Sequence, residues 1–388
     1  MRSVYIIGAG ATAVSKSTPH RGRYLAAEAV RGALHNARIE EVSALYVGNM
    51  MSGILSDQQQ LGPLIADISG LRGIEAMTAE AACASGGAAV RLGVMSVAGG
   101  VHDAVVSCGM ERMTHVDKER MTAALATAAD FELEGSRGES FLSLNARLMA
   151  LYMERYDVKP EDFAPFAINA HSNAMANPYA LLHKPIDLDG YMNSRMIVDP
   201  VKIMDASPVC NGAAAIVLAS EDVARRAARA DLPVVRIRAS TMGTDSLGLA
   251  GRRDKLFLDG VQRSTERALA QAGVQREDLD IFELHDAYTI ISVLSLEAAG
   301  FAERGTGAKL GAEGRIALDG DLPISTMGGL KARGHPVGAT GVYQMVETYR
   351  QLIGHAGPNQ VKDAVLAMVQ NVGGTGATVV THIIERVR

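Results

Sequence analysis

The chain has 388 residues, of which 48% are hydrophobic and 21% are charged, and its formal net charge at pH 7 is −5. This length exceeds what one hydrophobic core usually spans, so we expect two domains or two large halves. A slightly acidic chain lacks the basic surface that nucleic acid or an anionic membrane would require, and neither is an expected partner. Three cysteines, an odd number, favour a reducing compartment, the cytoplasm, over a disulfide framework.

The N-terminus contains a motif that can be mistaken for a nucleotide site. A predicted strand at 4–7 runs into Gly8-Ala9-Gly10, which fits the dinucleotide-binding fingerprint. The fingerprint needs a helix that begins within the glycines, whereas here Pro19 intervenes and the helical pattern resumes only near Tyr24. We therefore expect no NAD or FAD, and interpret the glycines as the end of a strand. No apolar stretch reaches the roughly 18 residues of a membrane-spanning helix, and no signal peptide is expected.

The next feature along the chain is an internal repeat. Segments 33–49 and 268–286 both read as the end of a helix, a polar turn and a strand. Cys83 and His335 each open a helix that leads to a further strand and a glycine. Alternating helices and strands predict an α/β fold with a mainly parallel or mixed sheet in each half.

The repeat also predicts the domain organisation. A segment at about 114–205, helical in patches and broken by prolines, interrupts the first half. We predict an N-terminal half at 1–220, which carries this inserted loop domain, and a C-terminal half at 221–388. Two similar halves packed about a pseudo-twofold axis would bring Cys83 and His335 together. A helix amino end and a neighbouring imidazole would both lower the pKa of the thiol, which favours a reactive cysteine over a buried filler.

Four motifs closely resemble those of the thiolase family: CASGG at 83–87, ELHDAYT at 283–289, GGLKARGHPVGATG at 328–341 and NVGGTGATVV at 371–380. The resemblance covers essentially the whole chain, and it is closest to the archaeal and sterol-carrier-protein-type acetyl-CoA acetyltransferases. It implies the thiolase fold, in which two similar α/β halves form a five-layer αβαβα sandwich with an inserted loop domain.

The resemblance implies an acyl-CoA C-acyltransferase that works through an acyl-cysteine. The reaction would be a Claisen condensation with acetyl-CoA or the reverse thiolysis of a 3-ketoacyl-CoA. Cys83 would be the nucleophile, and His335 would accept its proton and hold the ion pair. His285 would donate to the thioester oxygen as the enolate forms. The backbone N–H groups of Cys83 and Gly373 would form a second oxyanion hole.

The sequence departs from the family at one important position. Asn371 stands where most thiolases carry a second cysteine, which removes the α-proton of the attacking thioester. Ala287 fills the alternative slot of the sterol-carrier-protein type. We interpret Cys108, at the end of a strand, and Cys210, before a strand, as core or near-site residues. The adjacent Asp286 is expected to be structural, and the group that replaces the second cysteine stays open.

Four other interpretations therefore remain. A Cys-His-His set resembles the decarboxylating ketoacyl synthases of the same superfamily, and simple acyl transfer would need no α-proton abstraction. The chain could also be a weakly active scaffold subunit, or a retro-aldolase that uses tyrosines such as Tyr288 and Tyr343. The expected ligands are coenzyme A and its thioesters, with no tightly bound cofactor and no metal. The resemblance further implies a homodimer or dimer of dimers, and it admits a small OB-fold, zinc-ribbon partner protein.

Overall fold

The computed structural model describes residues 2–228 and 232–387. The helices are α1 (Gly22–Ala37), α2 (Ser52–Leu55), α3 (Leu61–Ser69), α4 (Ser85–Ala98), α5 (Lys118–Ala126), α6 (Phe141–Tyr156), α7 (Ala164–Ala174), α8 (Leu188–Met192), α9 (Glu221–Ala227), α10 (Asp259–Ala272), α11 (Thr289–Ala298), α12 (Lys309–Ala312) and α13 (Thr340–Leu352). The strands are β1 (Val4–Ala11), β2 (Ala44–Gly48), β3 (Glu75–Ala79), β4 (Ala104–Arg112), β5 (Met196–Val198), β6 (Val201–Lys202), β7 (Asn211–Ser220), β8 (Val235–Thr244), β9 (Ile281–Glu283), β10 (Leu366–Gly373) and β11 (Thr378–Arg386).

The main sheet has nine strands in the order β3-β2-β4-β7-β1-β8-β11-β10-β9. It is mixed, as predicted: β2 runs parallel to β3 and β4, and β9 runs parallel to β10, whereas the central pairs are antiparallel. The strands of the two halves are hydrogen-bonded to each other, because residues 4–6 of β1 pair with residues 235–237 of β8. The sequence analysis expected one sheet in each half and did not predict this pairing of strands between the halves.

The helices build the predicted five layers. One apolar cluster joins α1 and α3 to β2, β4 and β7. A second cluster places α4 and α13 between the N-terminal and C-terminal strands, and a third joins α10, α11 and the inserted segment to β10 and β11. Because α4 and α13 lie inside the sandwich, β4 is covered on both faces, and eight of its nine residues are buried. The loops that precede α4 and α13 therefore open into the middle of the molecule.

The two central helices approach each other very closely at their amino ends. A Cβ atom on Gly86 would lie 2.9 Å from the carbonyl oxygen of Gly338, and one on Gly341 would lie 2.3 Å from the backbone nitrogen of Gly87. Only glycine fits such a crossing. This contact brings the loop of Cys83 next to the loop of His335, as the repeat predicted.

The N-terminal glycines serve packing. Strand β1 continues through them to Ala11, four residues beyond the predicted end at Ile7, and the first helix begins only at Gly22. A Cβ atom on Gly8 would lie 2.5 Å from a backbone oxygen of α1, and one on Gly10 would lie 2.4 Å from another. The glycines are therefore inside a strand against which α1 packs, and the arrangement is not a dinucleotide-binding turn.

The inserted segment contains α5 to α8 and the β5–β6 hairpin, which forms a separate two-stranded sheet. Tyr152 and Phe163 of this segment are fully buried against the C-terminal core. Among the residues described, we find no helix with the length and apolar character needed to span a bilayer.

Candidate active site

The side chains of Cys83, His285 and His335 meet at a cavity of about 110 Å³. Cys83 Sγ and one ring nitrogen of each histidine all lie within 4.8 Å of one another. The two imidazole rings are 5.0 Å apart, centroid to centroid, and nearly perpendicular, at 83°. The rest of the lining is mainly apolar and comes from both halves and the inserted segment: Met113, Leu125, Phe141, Asn145, Ser207, Pro208, Val209, Ala287, Tyr288, Ile291, Val337 and Gly374.

Cys83 lies in a tight turn two residues before α4 begins. The preceding residue, Ala82, has a φ of 51°, a left-handed conformation that non-glycine residues seldom adopt. The hydroxyl of Ser85 holds the turn, because it accepts the N–H of Ala81 (2.9 Å) and donates to the carbonyl of Ala82 (2.6 Å). The turn places the thiol of Cys83 in the lining of the cavity.

The electrostatics of this thiol differ from the expectation. Burial raises the pKa of the Cys83 thiol to about 12, and the nearby Glu111 carboxylate contributes to the rise, although the N–H of Gly374 acts in the opposite direction. Burial, followed by His285 and Arg333, lowers the pKa of His335 well below its ordinary value. Both shifts favour a neutral thiol and a neutral imidazole, and the thiolate–imidazolium ion pair stays a prediction.

Hydrogen bonds fix the orientation and tautomer of His335. Its Nδ1 lies 2.6 Å from the hydroxyl of Thr340, and that hydroxyl donates to the carbonyl of Pro336 at 3.3 Å. The hydroxyl has one proton, so both contacts are hydrogen bonds only if the imidazole carries its proton on Nδ1. Nε2 then keeps its lone pair. The adjacent Gly334, with a φ of 112°, packs so closely that a Cβ atom there would lie 2.6 Å from Val14.

His285 has the opposite tautomer. The N–H of Gly87, in the first turn of α4, donates to Asn371 Oδ1 at 3.1 Å, which orients the amide. Asn371 Nδ2 therefore faces His285 Nδ1, at 3.2 Å, and donates to it. The proton of the imidazole then resides on Nε2. Burial, followed by Arg333 and Lys331, lowers the pKa of His285 to about 3, so this ring stays a neutral N–H donor.

A glycine that the sequence analysis did not name lies at the predicted second oxyanion hole. Gly373 is the last residue of β10 and pairs with Thr378 of β11. It is Gly374, one residue later, that lines the cavity and directs its N–H to the sulfur of Cys83. The assignment of Gly373 stays a prediction, and Gly374 is a further candidate for this oxyanion hole. The tight turn at this point, with a φ of 65° at Gly374, could not be located from sequence spacing alone.

The remaining predicted residues lie outside the cavity. Asp286 accepts the N–H of Leu330 at 2.7 Å and lies 3.9 Å from the Lys331 ammonium, which fits a structural role. Cys108 is fully buried in the middle of β4, not at its end as the sequence suggested, and Cys210 is fully buried just before β7. Neither of these two thiols lines the cavity.

The two tyrosines of the aldolase reading are separated. Tyr288 lines the cavity. The hydroxyl of Tyr343 is instead directed to Thr12, where it donates to the backbone carbonyl at 2.8 Å and lies 3.2 Å from the side-chain oxygen. The guanidinium of Arg333 packs over the Tyr343 ring at 4.8 Å. A tyrosine pair at the cavity, which that reading requires, is not formed.

Glu111 supports the site and was not assigned a role from the sequence. Its buried carboxylate accepts the backbone N–H groups of Met50 (2.9 Å), Met51 (3.2 Å) and Gly338 (3.2 Å). It thereby ties β4 to the loop that precedes α13, and burial raises its pKa to about 7 in spite of these donors. The GMERM motif at 109–113 was the available signal.

A cysteine and two histidines at this spacing could also hold a metal ion. They form the one cluster of this type within the described ranges. A metal there would occupy the thiol and both imidazoles to which the resemblance gives roles in condensation. We assign no metal, and this assignment stays a prediction.

Comparisons with known proteins agree with the fold. The family described as "Thiolase, N-terminal domain" matches residues 4–222, and the family described as "Thiolase C-terminal domain-like" matches residues 242–386. Together these matches cover most of the chain, which therefore belongs to the thiolase family. It is an enzyme of that type, an acyl-CoA C-acyltransferase.

The individual relatives include archaeal enzymes. The chain is 40% identical to an acetyl-CoA acetyltransferase of Methanothermobacter thermautotrophicus, over 100% of both chains. It is 35% identical to an acetyl-CoA acetyltransferase of Methanocaldococcus jannaschii over 99% of each. It is 31% identical to sterol carrier protein 2 of Gallus gallus, over 98% of this chain and 71% of that protein. A solved structure, an Ltp2-ChsH2(DUF35) aldolase, has the same fold, with a TM-score of 0.86, 24% identity and coverage of 100% and 98%.

Proposed function

We propose that this enzyme condenses two molecules of acetyl-CoA to acetoacetyl-CoA, and catalyses the reverse thiolysis, through an acetyl group on Cys83. The observation that carries the proposal is the convergence of Cys83 Sγ and the two imidazoles within 4.8 Å at a small, mainly apolar cavity. The names of the two archaeal relatives support acetyl-CoA as the substrate. A cavity of about 110 Å³ suits a short acyl group.

The first half-reaction follows from the resting geometry. His335 Nε2 takes the thiol proton as the sulfur of Cys83 attacks the carbonyl carbon of the thioester, so the thiolate needs to exist only during the attack. The N–H groups of Cys83 and Gly374 stabilise the oxyanion of the tetrahedral intermediate. Coenzyme A then leaves as a thiol with the proton that His335 held, and the imidazole is neutral again.

The second half-reaction uses His285. The carbonyl oxygen of a second acetyl-CoA accepts a hydrogen bond from the Nε2–H of His285. This hydrogen bond becomes stronger as negative charge develops on the oxygen of the enolate. Because Asn371 and Gly87 fix the ring, this donor is already oriented before the substrate binds. Attack of the enolate carbon on the acetyl group of Cys83 forms the new carbon–carbon bond.

The direct test is a covalent adduct. The purified chain, incubated with acetyl-CoA and analysed by intact mass, is expected to gain one acetyl group. Peptide mapping should locate it on Cys83, and the variant Cys83→Ser should lack it or nearly lack it. An adduct on Cys108 or Cys210, with Cys83 unmodified, would contradict the proposal.

A second assay separates the proposed reaction from the decarboxylating alternative. Acetyl-CoA alone should give acetoacetyl-CoA. Product from malonyl-CoA together with acetyl-CoA, and none from acetyl-CoA alone, would move the assignment to a decarboxylating synthase. The same incubations without enzyme provide the background rate.

We further propose a homodimer, or a dimer of two dimers, that forms through β3. This strand is an edge of the nine-stranded sheet and pairs with β2 on one side only. Its residues Glu75, Met77 and Thr78 are exposed, and Met77 has 42% of its surface accessible. An exposed strand edge with an apolar side chain is a natural site for pairing with a second chain.

A small OB-fold partner is a separate proposal. The inserted segment and the loop after it expose several large apolar side chains that a partner would cover: Leu188, Met196, Ile197, Val198, Ile203 and Val209. Val209 also lines the active-site cavity, so a partner seated here would border the entrance for coenzyme A. The proposed compartment is the cytoplasm, in keeping with three cysteines that are all free.

A further inference from the structure

The proposed condensation needs a base for the α-proton of the second acetyl-CoA. The sequence resemblance leads one to expect a cysteine at position 371, where this chain has asparagine. An asparagine amide is not basic, and Asn371 is fully engaged, since its oxygen accepts from Gly87 and its nitrogen donates to His285. The base must therefore be a different group.

His285 is excluded by its own hydrogen bond. Because Asn371 Nδ2 donates to Nδ1, the lone pair of this imidazole points at the amide, away from the substrate. The nitrogen that can reach the thioester, Nε2, carries a proton and can only donate. Asn371 thus acts as a positioning residue that commits His285 to enolate stabilisation.

Few other groups remain. Among the described residues that line the cavity, the titratable side chains are Cys83, His285, Tyr288 and His335. Cys83 is acylated during this step and has no lone pair basic enough to accept a proton. Burial, followed by Cys83, raises the pKa of the Tyr288 phenol, which keeps its proton at working pH. His335 has the required free lone pair on Nε2, because Thr340 holds its Nδ1–H.

We propose that His335 is the base of both half-reactions, an inference that rests on the proposed function. After the first half-reaction His335 is neutral, since its proton has left with coenzyme A. In the second, the Cα–H bond of acetyl-CoA breaks, the proton binds His335 Nε2, and the electron pair moves to the carbonyl oxygen as the enolate held by His285.

The cycle then closes without another acid or base. The enolate carbon bonds to the acetyl carbonyl carbon, and the tetrahedral intermediate expels the sulfur of Cys83 as a thiolate. This thiolate takes the proton from His335. The neutral thiol and neutral imidazole of the resting structure are restored, and every proton that His335 accepted has been passed on.

The experiment must measure α-proton removal without acylation. The variant Cys83→Ala cannot be acylated, so exchange of the methyl protons of acetyl-CoA with D₂O reports the second step alone. Mass spectrometry of the recovered acetyl-CoA gives the rate. We expect exchange with Cys83→Ala above the protein-free background, and a fall of about 10²–10⁴-fold when His335→Gln is added, the usual contribution of a general base.

A matched control is His171→Gln in the same Cys83→Ala background. His171 is another buried histidine, but it lies on α7, outside the cavity, with its Nδ1 bonded to the carbonyl of Lys184. Its replacement should leave the exchange rate unchanged. Should the His335→Gln double variant fail to fold, Thr340→Val in the Cys83→Ala background retains the ring but frees Nδ1, and it should also slow the exchange.

The outcomes are distinct for the two proposals. Exchange at the same rate with and without His335, or no exchange in Cys83→Ala, would overturn the assignment of the base. Failure of the wild-type chain to acetylate Cys83 would overturn the proposed function, whatever the exchange experiment shows.

Discussion

The two histidines of the site carry their protons on opposite ring nitrogens, because they have different hydrogen-bond partners. Thr340 makes His335 a lone-pair acceptor towards the cavity, and Asn371 makes His285 an N–H donor. Burial keeps both rings neutral, since it lowers the pKa of each. In the proposed mechanism, a neutral pair with opposite tautomers provides a base and an oxyanion donor at the same pH, which a pair of imidazolium ions could not do.

This division of roles predicts the behaviour of His285→Ala. Acetylation of Cys83 needs the thiol, His335 and the N–H groups of Cys83 and Gly374, so it should proceed at close to the wild-type rate. Formation of acetoacetyl-CoA should fall by about 10²–10³-fold, the usual cost of losing an oxyanion donor. Rapid-quench measurement of acetyl-enzyme, beside steady-state product formation, separates the two rates.

The comparison variants are His335→Ala and His171→Ala. The first should slow acetylation itself, because the thiol loses its proton acceptor, and the second should change neither rate. Equal losses of both steps in His285→Ala and His335→Ala would contradict the division, since the histidines would then act as one unit.

At the scale of single residues, the sequence predicted which side chains meet at the site better than it predicted their tautomers and protonation. The motifs identified Cys83, His285 and His335, because each belongs to a short fixed pattern. They could not reveal the tautomers or the role of Gly374, which depend on hydrogen bonds between residues as distant as Gly87 and Asn371. The sequence also could not indicate the burial that opposes the expected ion pair, because spacing shows only that a thiol and an imidazole meet.

At the scale of elements, the crossing of α4 and α13 determines whether the site forms. The glycines at this crossing allow the helices to approach until backbone touches backbone, and Asn371 bonds across the same point. The repeat in the sequence predicted that these two loops meet. It did not predict the bonding of β1 to β8, since strand pairing between halves leaves no local pattern.

This packing predicts a specific loss of stability. In Gly341→Ala, the new methyl group would lie 2.2 Å from Asn371 Oδ1 and 2.3 Å from the nitrogen of Gly87, so the helices must separate. We expect the free energy of unfolding to fall by about 1–3 kcal/mol, typical of an overpacked core. Urea denaturation followed by circular dichroism measures it.

Gly32→Ala is the matched control for that variant. Gly32 lies within α1, and the nearest atom to an added Cβ is at an ordinary 3.6 Å. Alanine there should leave stability unchanged or raise it by up to about 1 kcal/mol, because alanine has the higher helix propensity. If Gly341→Ala were as stable as Gly32→Ala, the close crossing would not be a constraint on the fold.

At the scale of the whole molecule, the five-layer sandwich places the thiol of Cys83 in its interior and strand edges at its ends. The family and the fold could be predicted from the sequence, because the motifs extend over nearly all of the chain. The division into halves at 1–220 and 221–388, with the insertion at about 114–205, stays a prediction. No sequence pattern indicated which surface would form a dimer. A strand can be recognised as an edge strand only when the order of the strands in the sheet is known.

The proposed dimer gives a prediction at this scale. Met77→Lys places a charge on the edge of β3 and should convert a species of twice the chain mass into a monomer, as light scattering would show. Val101→Lys, at a residue with 69% of its surface exposed and outside β3, should leave the mass unchanged. A wild-type chain that is already a stable, active monomer would contradict the dimer.

The central claim is that this chain transfers acyl groups between thioesters through Cys83. The most direct measurement mixes the purified protein with acetoacetyl-CoA and free coenzyme A and follows the loss of acetoacetyl-CoA. We expect two molecules of acetyl-CoA to form for each acetoacetyl-CoA consumed, and Cys83→Ala to abolish the reaction. Undiminished thiolysis by Cys83→Ala, or no thiolysis by a folded wild-type chain that binds coenzyme A, would contradict it.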